Sequence, residues 1–135
     1  MINLSTISIY KKSDNEIIES NKLDESSILG PSKFIGEKLI EISGLNYINL
    51  RLPGILNLER NFVYRPWLKK IIFSIKKNKK IKILNKSKKF NSLIDTKEIF
   101  DFIKYIISKK KKIKGTYNLS ASNPIELFQI IKLII

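Results

Sequence analysis

One break, Gly30-Pro31-Ser32-Lys33, sits between two β-type runs and constrains the fold more than any other stretch. Pro31 fits the first turn of a helix, where its missing N–H leaves no hydrogen bond unmade. Phe34, Ile35, Lys38, Leu39 and Ile42 follow at helical spacing, which predicts a helix over residues 31–43 with one inward apolar face. Gly44 suits the cap that ends it. Upstream, residues 2–10 are short, β-branched and partly alternating, and predict a strand ending near Ile9. Downstream, residues 47–52 predict a second strand, closed by Pro53-Gly54. Two strands joined by a helix make a parallel, right-handed βαβ unit, so the fold class is α/β.

The rest of the chain is built on that unit. Residues 11–27 are polar and acidic without a sustained period and read as a loop. Residues 55–65 read as irregular. Pro66 opens a helix with Trp67, Leu68, Ile71, Ile72 and Ile75 on one face. Residues 79–84 alternate Lys and Ile and predict a half-exposed strand, and residues 90–94 a further short one. Asp95 or Thr96 caps a helix to about Ser108, with Ile99, Phe100, Ile103 and Ile107 inward. Residues 109–112 are a solvated connector and residues 115–119 a third core strand. Ser122-Asn123-Pro124 starts a last helix. The expected organisation is residues 1–54 as strand, helix and strand of a parallel sheet, 55–95 as a smaller subdomain, and 96–135 as helix, last core strand and terminal helix. The first residues already read as strand and the last as an apolar helix face. A parallel sheet is covered on both faces and a bare edge is a pairing liability, so the expectation is a piece of a larger α/β domain.

Composition narrows the chemistry. The 135 residues contain no cysteine and no histidine. Disulfides, thiolate metal sites and the commonest general base are therefore excluded, and no metal site is expected. Acid–base work falls to Tyr, Lys, Asp, Glu or a hydroxyl. No apolar run reaches the roughly 20 residues that span a bilayer, and no signal peptide is evident, so a cytoplasmic location without a membrane role is expected. The net charge is +14. Arg occurs only at 51, 60 and 65 and Ala only at 121, while Lys, Ile and Asn abound, a pattern that codon bias in an AT-rich genome explains. The Lys runs lack interleaved aromatics, and nucleic acid is not the expected partner.

Three features fall where strands end: the hydroxyl-bearing run Ser5-Thr6-Ile7-Ser8, the helix opening Leu29 to Lys33, and Leu50-Arg51-Leu52-Pro53-Gly54. In a parallel sheet all three gather at the carboxyl edge around one crevice. A Lys there can hold a ribose or lower a neighbour's pKa, and a hydroxyl can hold a substrate oxygen. Tyr105 and Lys109 share the spacing of a Tyr-x-x-x-Lys pair but lack this strand-end setting. Trp67 after Pro66 reads first as a packing anchor.

These residues resemble the extended short-chain dehydrogenase/reductases, the NAD(P)-dependent sugar-nucleotide epimerases, dehydratases and reductases. Thr6 precedes Ile9-Tyr10 as a Ser/Thr precedes that family's strand end. Leu29-Gly30-Pro31-Ser32-Lys33 before Gly36-Glu37 stands where the family has Tyr-Gly-x-Ser-Lys opening a Glu-bearing helix. Arg51-Leu52-Pro53-Gly54, residues 90–95 running into Glu98-Ile99, and Thr116-Tyr117-Asn118-Leu119 match later segments in order. The resemblance implies a partial Rossmann-like parallel sheet, its C-terminal strands and helices only, with a small substrate-binding subdomain. It implies NAD or NADP as cofactor and a nucleotide-sugar substrate. Thr6 would hold the substrate oxygen. Lys33 would bind the nicotinamide ribose and tune a catalytic Tyr. Leu52 and Pro53 would meet the nicotinamide, and Gly54 and Trp67 would belong to the substrate side.

Two departures stand beside the matches. The catalytic Tyr position is Leu29, which has no proton to give, and the glycine-rich turn for the cofactor pyrophosphate is not in the sequence. The expectation is a chain that alone neither binds NAD(P) tightly nor transfers hydride. The alternative is a non-catalytic module or subunit whose bare strand pairs with a protein partner or a second copy.

Overall fold

The structure is a computed structural model that describes residues 1–134 except 12, 14–15, 25, 27, 58–61, 64–65, 83–86, 88, 91 and 110–112. Two units are distinguishable, Met1–Pro53 with Ile103–Leu119 and Gly54–Phe102 with Ser120–Ile135.

The first unit is the βαβ arrangement that the Gly-Pro break implies. Strand β1 (Ile2–Thr6) is shorter than expected. The Thr6 hydroxyl accepts from the Ser8 N–H at 3.1 Å and turns the chain into a 3₁₀ helix at Ile7–Ile9, so the strand stops three residues early. Helix α1 (Leu29–Ile42) follows the loop. Pro31 lies in its first turn, and Gly44, at φ 75°, provides the left-handed residue beyond its end. Strand β2 (Ile48–Leu52) is buried along its whole length. It pairs in parallel with β1, from Ile2 opposite Ile48 to Thr6 opposite Leu52.

The second unit begins with β3 (Gly54–Asn57) and β4 (Phe62–Val63), an antiparallel pair where irregular chain was expected. Helix α2 (Pro66–Lys76) buries Leu68 completely and packs Ile71, Ile72 and Ile75 against the same core, as its periodicity predicts. Residues 79–82 form no strand despite their alternation, and residues 83–84 lie outside the described residues. The alternating pattern holds a strand only where a ladder partner exists, and these residues have none among the described residues. Strands β5 (Lys89–Phe90) and β6 (Leu93–Asp95) follow, β6 in parallel with β3.

Helix α3 (Thr96–Ser108) begins at a capping box. The Asp95 carboxylate accepts from Lys97 N–H at 2.8 Å, and Glu98 reaches back to accept from Asp95 N–H at 3.1 Å. Ile99 is buried as expected, whereas Phe100 and Ile107 are exposed. The third parallel strand, β7 (Gly115–Asn118), pairs with β2 and completes the order β1-β2-β7 in the first unit. A short β8 (Ile125–Glu126), antiparallel to β5, precedes α4 (Leu127–Ile134). The core of the second unit is Leu56, Leu68, Leu127, Ile130 and Ile131.

The largest correction concerns α1. Its expected inward face is outward: Ile35, Leu39 and Ile42 are exposed, and the buried residues are Gly30 and Glu37. Glu37 pairs with the buried Arg51 of β2, and that ion pair sets which side of the helix meets the sheet. Among the described residues no helix is long and apolar enough to cross a membrane.

Candidate functional site

Parallel pairing brings the expected strand-end residues together. Thr6 and Leu52 close β1 and β2 as direct register partners, with Pro53 next in the chain. Helix α1 packs on β1 and the 3₁₀ helix. Five residues join the end of α1 to the start of β2, so the end of α1 lies at the amino edge of the sheet. Fourteen residues at 1.5 Å each carry the helix back by about 21 Å. The helix start, with Leu29 and Lys33, therefore faces the carboxyl edge, where Thr6 and Leu52 end. Thr6 and Leu29 differ in surroundings: Thr6 is half-buried with its hydroxyl holding the turn, whereas Leu29 is exposed. Lys33 is exposed in the first turn of α1.

The other two expected residues belong to the second unit. Gly54 opens β3 and donates its N–H to the Ser92 carbonyl at 2.9 Å. Trp67 lies against Phe90, ring centroids 5.8 Å apart at 31°, and that stacking anchors the start of α2.

Behind the carboxyl edge runs a buried polar network whose roles sequence reasoning left unassigned. Arg51, 4% exposed, forms a forked pair with Glu37, 2% exposed: Nε donates to both carboxylate oxygens at 3.0 and 3.2 Å, and Nη2 donates to Oε2 at 2.6 Å. Nη1 donates to the Tyr10 hydroxyl and to the Glu19 carbonyl, the latter at 3.2 Å. The Tyr10 hydroxyl donates in turn to Asn118 Oδ1 at 2.8 Å, and Asn118 N–H donates to the Glu19 carboxylate at 2.6 Å. Burial alone would lower the Arg51 pKa. The hydrogen bonds to Glu37 and Tyr10, with the Glu37 charge, outweigh it and raise the guanidinium above its usual value. The network fastens α1, β7, Tyr10 and Glu19 to β2. A charged residue between Leu50 and Leu52 in a fully buried strand was the available signal.

One turn of the ladder away, Asn3 donates to Asn49 Oδ1 at 2.9 Å, and Asn49 donates to Thr116 Oγ1 at 3.1 Å. One polar rung thus crosses all three strands. Ser5, buried and in register with Arg51, has no partner for its hydroxyl among the described residues. A cleft of about 410 Å³ lies on this side of the sheet, lined by Glu19, Phe34, Glu37, Lys38, Tyr47 and Arg51 among others. Thr6, Lys33, Leu52 and Pro53 are absent from its lining. Of its lining residues, the buried Arg51 and Glu37 pair with each other. No group of His, Cys, Asp and Glu suited to a metal ion occurs among the described residues.

The edge offers a hydroxyl and an ammonium, which suit the hydroxyl-rich face of a sugar or ribose. Residue 29 offers no proton. The sequence has no glycine-rich turn for a pyrophosphate, so the residues present suit only part of a dinucleotide.

No protein-family model matches the sequence, and no curated protein matches it significantly. Solved structures do resemble the fold. UDP-glucuronic acid 4-epimerase from Bacillus cereus, in complex with NAD, aligns at a TM-score of 0.79 and 17% identity, covering 98% of this chain and 44% of that one. UDP-N-acetylglucosamine 4-epimerase from Bacillus cereus aligns at 0.74 and 19%, covering 96% and 46%. The enzyme WbmG from Bordetella bronchiseptica, in complex with NAD and UDP, aligns at 0.73 and 14%, covering 98% and 41%. The chain spans less than half the length of these structures. By fold it is a partial Rossmann-like α/β arrangement of the kind that NAD-dependent sugar-nucleotide epimerases contain.

Proposed function

We propose that this chain is the substrate-side portion of a sugar-nucleotide epimerase, dehydratase or reductase of the extended short-chain dehydrogenase/reductase type, and that it is inactive alone. The carrying observation is the register pairing of Thr6 with Leu52 at the edge that the start of α1 also faces. In this reading the Thr6 hydroxyl holds a sugar oxygen, and Lys33 holds a ribose of NAD or NADP. Leu52 and Pro53 meet the nicotinamide end. The segment 55–95, with Gly54 before it and Trp67 within it, contributes to holding the nucleotide-sugar. A bound nicotinamide cofactor would supply hydride chemistry. This chain's residues would bind and orient, because Leu29 leaves the proton donor of that chemistry unfilled.

Calorimetry on the full chain tests the reading. NAD, NADP and UDP-N-acetylglucosamine are titrated separately, and the expected result is no saturable binding of either dinucleotide. Micromolar NAD binding would refute the claim that the chain lacks a working cofactor site.

A second reading is favoured by the sheet order. β1 is an outer strand, and Leu4 on it is 46% exposed, so an added strand could pair there. A protein partner or a second copy would then complete the sheet. Light scattering on the eluting chain decides this for self-association: a dimer supports it and a monomer at all concentrations removes it.

A further inference from the structure

The positive charge is not spread along the chain. Residues 60–94 hold twelve of the twenty-six Lys and Arg residues and none of the twelve Asp and Glu, which leaves a net +2 for everything else. Codon bias acts along the whole chain and accounts for how many Lys residues there are, not for their gathering into one stretch without a single carboxylate. The structure gives that stretch a shape. Helix α2 turns Leu68, Ile71, Ile72 and Ile75 into the core of its unit. Its solvent face is Lys69, Lys70, Phe73, Lys76 and Lys77, all exposed. Lys79, Lys80 and Lys82 continue the exposed charge past the helix end. Among the described residues none of these lysines forms an ion pair, and Lys77 lies over the Phe73 ring at 4.5 Å.

We infer that this face of α2 docks the sugar–phosphate backbone of a nucleic acid without reading its sequence. Unneutralised ammonium groups on a helix are a site for counterion-releasing phosphate contacts. Every described cation on the patch is Lys, a compact point charge on a flexible stem that suits phosphate contacts. A lipid surface suits the face less well. A membrane-seated helix needs a free apolar side, and the apolar side of α2 is already in the core.

The test measures fluorescence anisotropy of the full chain with a labelled single-stranded RNA and a labelled duplex DNA of mixed sequence. Binding to either probe should weaken steeply between about 50 and about 200 mM salt. Replacing Lys69, Lys70, Lys76 and Lys77 together by Gln should weaken binding at least about tenfold and flatten the log–log salt slope by roughly 3. A matched variant, with Lys11, Lys22, Lys97 and Lys109 replaced by Gln, should bind as the parent does. An equal loss in both variants would mean net charge alone and would overturn the docking face. So would no binding to either probe at low salt, or binding only to vesicles containing phosphatidylglycerol. Circular dichroism of both variants verifies that the folded state is intact.

Discussion

The two units bury different chemistry. The second is held by aliphatic contact: Leu56, Leu68, Leu127, Ile130 and Ile131 meet in one cluster, and each such side chain stabilises by about 1.5–3 kcal/mol when fully buried. The first buries Ile9, Leu50 and Leu52, but also Arg51, Glu37, Asn49 and Ser5. Apolar burial tolerates exchange among side chains of similar volume. A buried ion pair does not, because the loss of one partner strands the other without water. The first unit is therefore the more particular about its residues, and it carries the proposed site edge; the second carries the basic face.

Substitutions can break that comparison. Glu37→Ala has the largest expected effect, a loss of about 3–5 kcal/mol in urea unfolding, because Arg51 stays buried and unpaired. Combining Glu37→Leu with Arg51→Met should recover much of that loss; a double variant less stable than Glu37→Ala would show that the Tyr10 and Glu19 links matter more than the pair. Leu68→Ala should cost roughly 2–5 kcal/mol, from lost transfer energy plus a cavity, with little dependence on salt. Asp95→Ala removes the cap of α3 and should cost about 1 kcal/mol in the same measurement. Ile35→Ser is the smallest, within about 0.5 kcal/mol, because the side chain is exposed. A loss above about 2 kcal/mol there would mean that α1 is turned the other way, with its apolar face inward.

The lesson of α1 is specific. Its boundaries were readable from Pro31 and Gly44, two residues whose backbone preferences act locally. Its rotation was not, since counting apolar positions ranks Ile35, Leu39 and Ile42 ahead of a glutamate. The partner that reverses that ranking is Arg51, fourteen residues away and on another element. The start of α3 was readable for the same local reason, as Asp95 and Glu98 bond within one turn. Strands β3 and β4 were not, because neither has an alternating pattern long enough to separate it from loop. For the site edge, the sequence supplied Thr6, Lys33 and Leu52 as a set at strand and helix ends. Trp67 read as a packing anchor, and it does pack on Phe90.

By itself, the sequence determined the order and type of the main elements, the parallel βαβ unit, the exclusion of cysteine and histidine chemistry, and the absence of a phenol at residue 29. These follow from residue identity and local backbone preference. Tertiary structure alone decided which face of α1 turns inward, that Thr6 stands level with Leu52, and that Arg51 and Glu37 meet as a buried pair. Those outcomes depend on pairing and desolvation between residues distant in the chain, and no local window contains both partners.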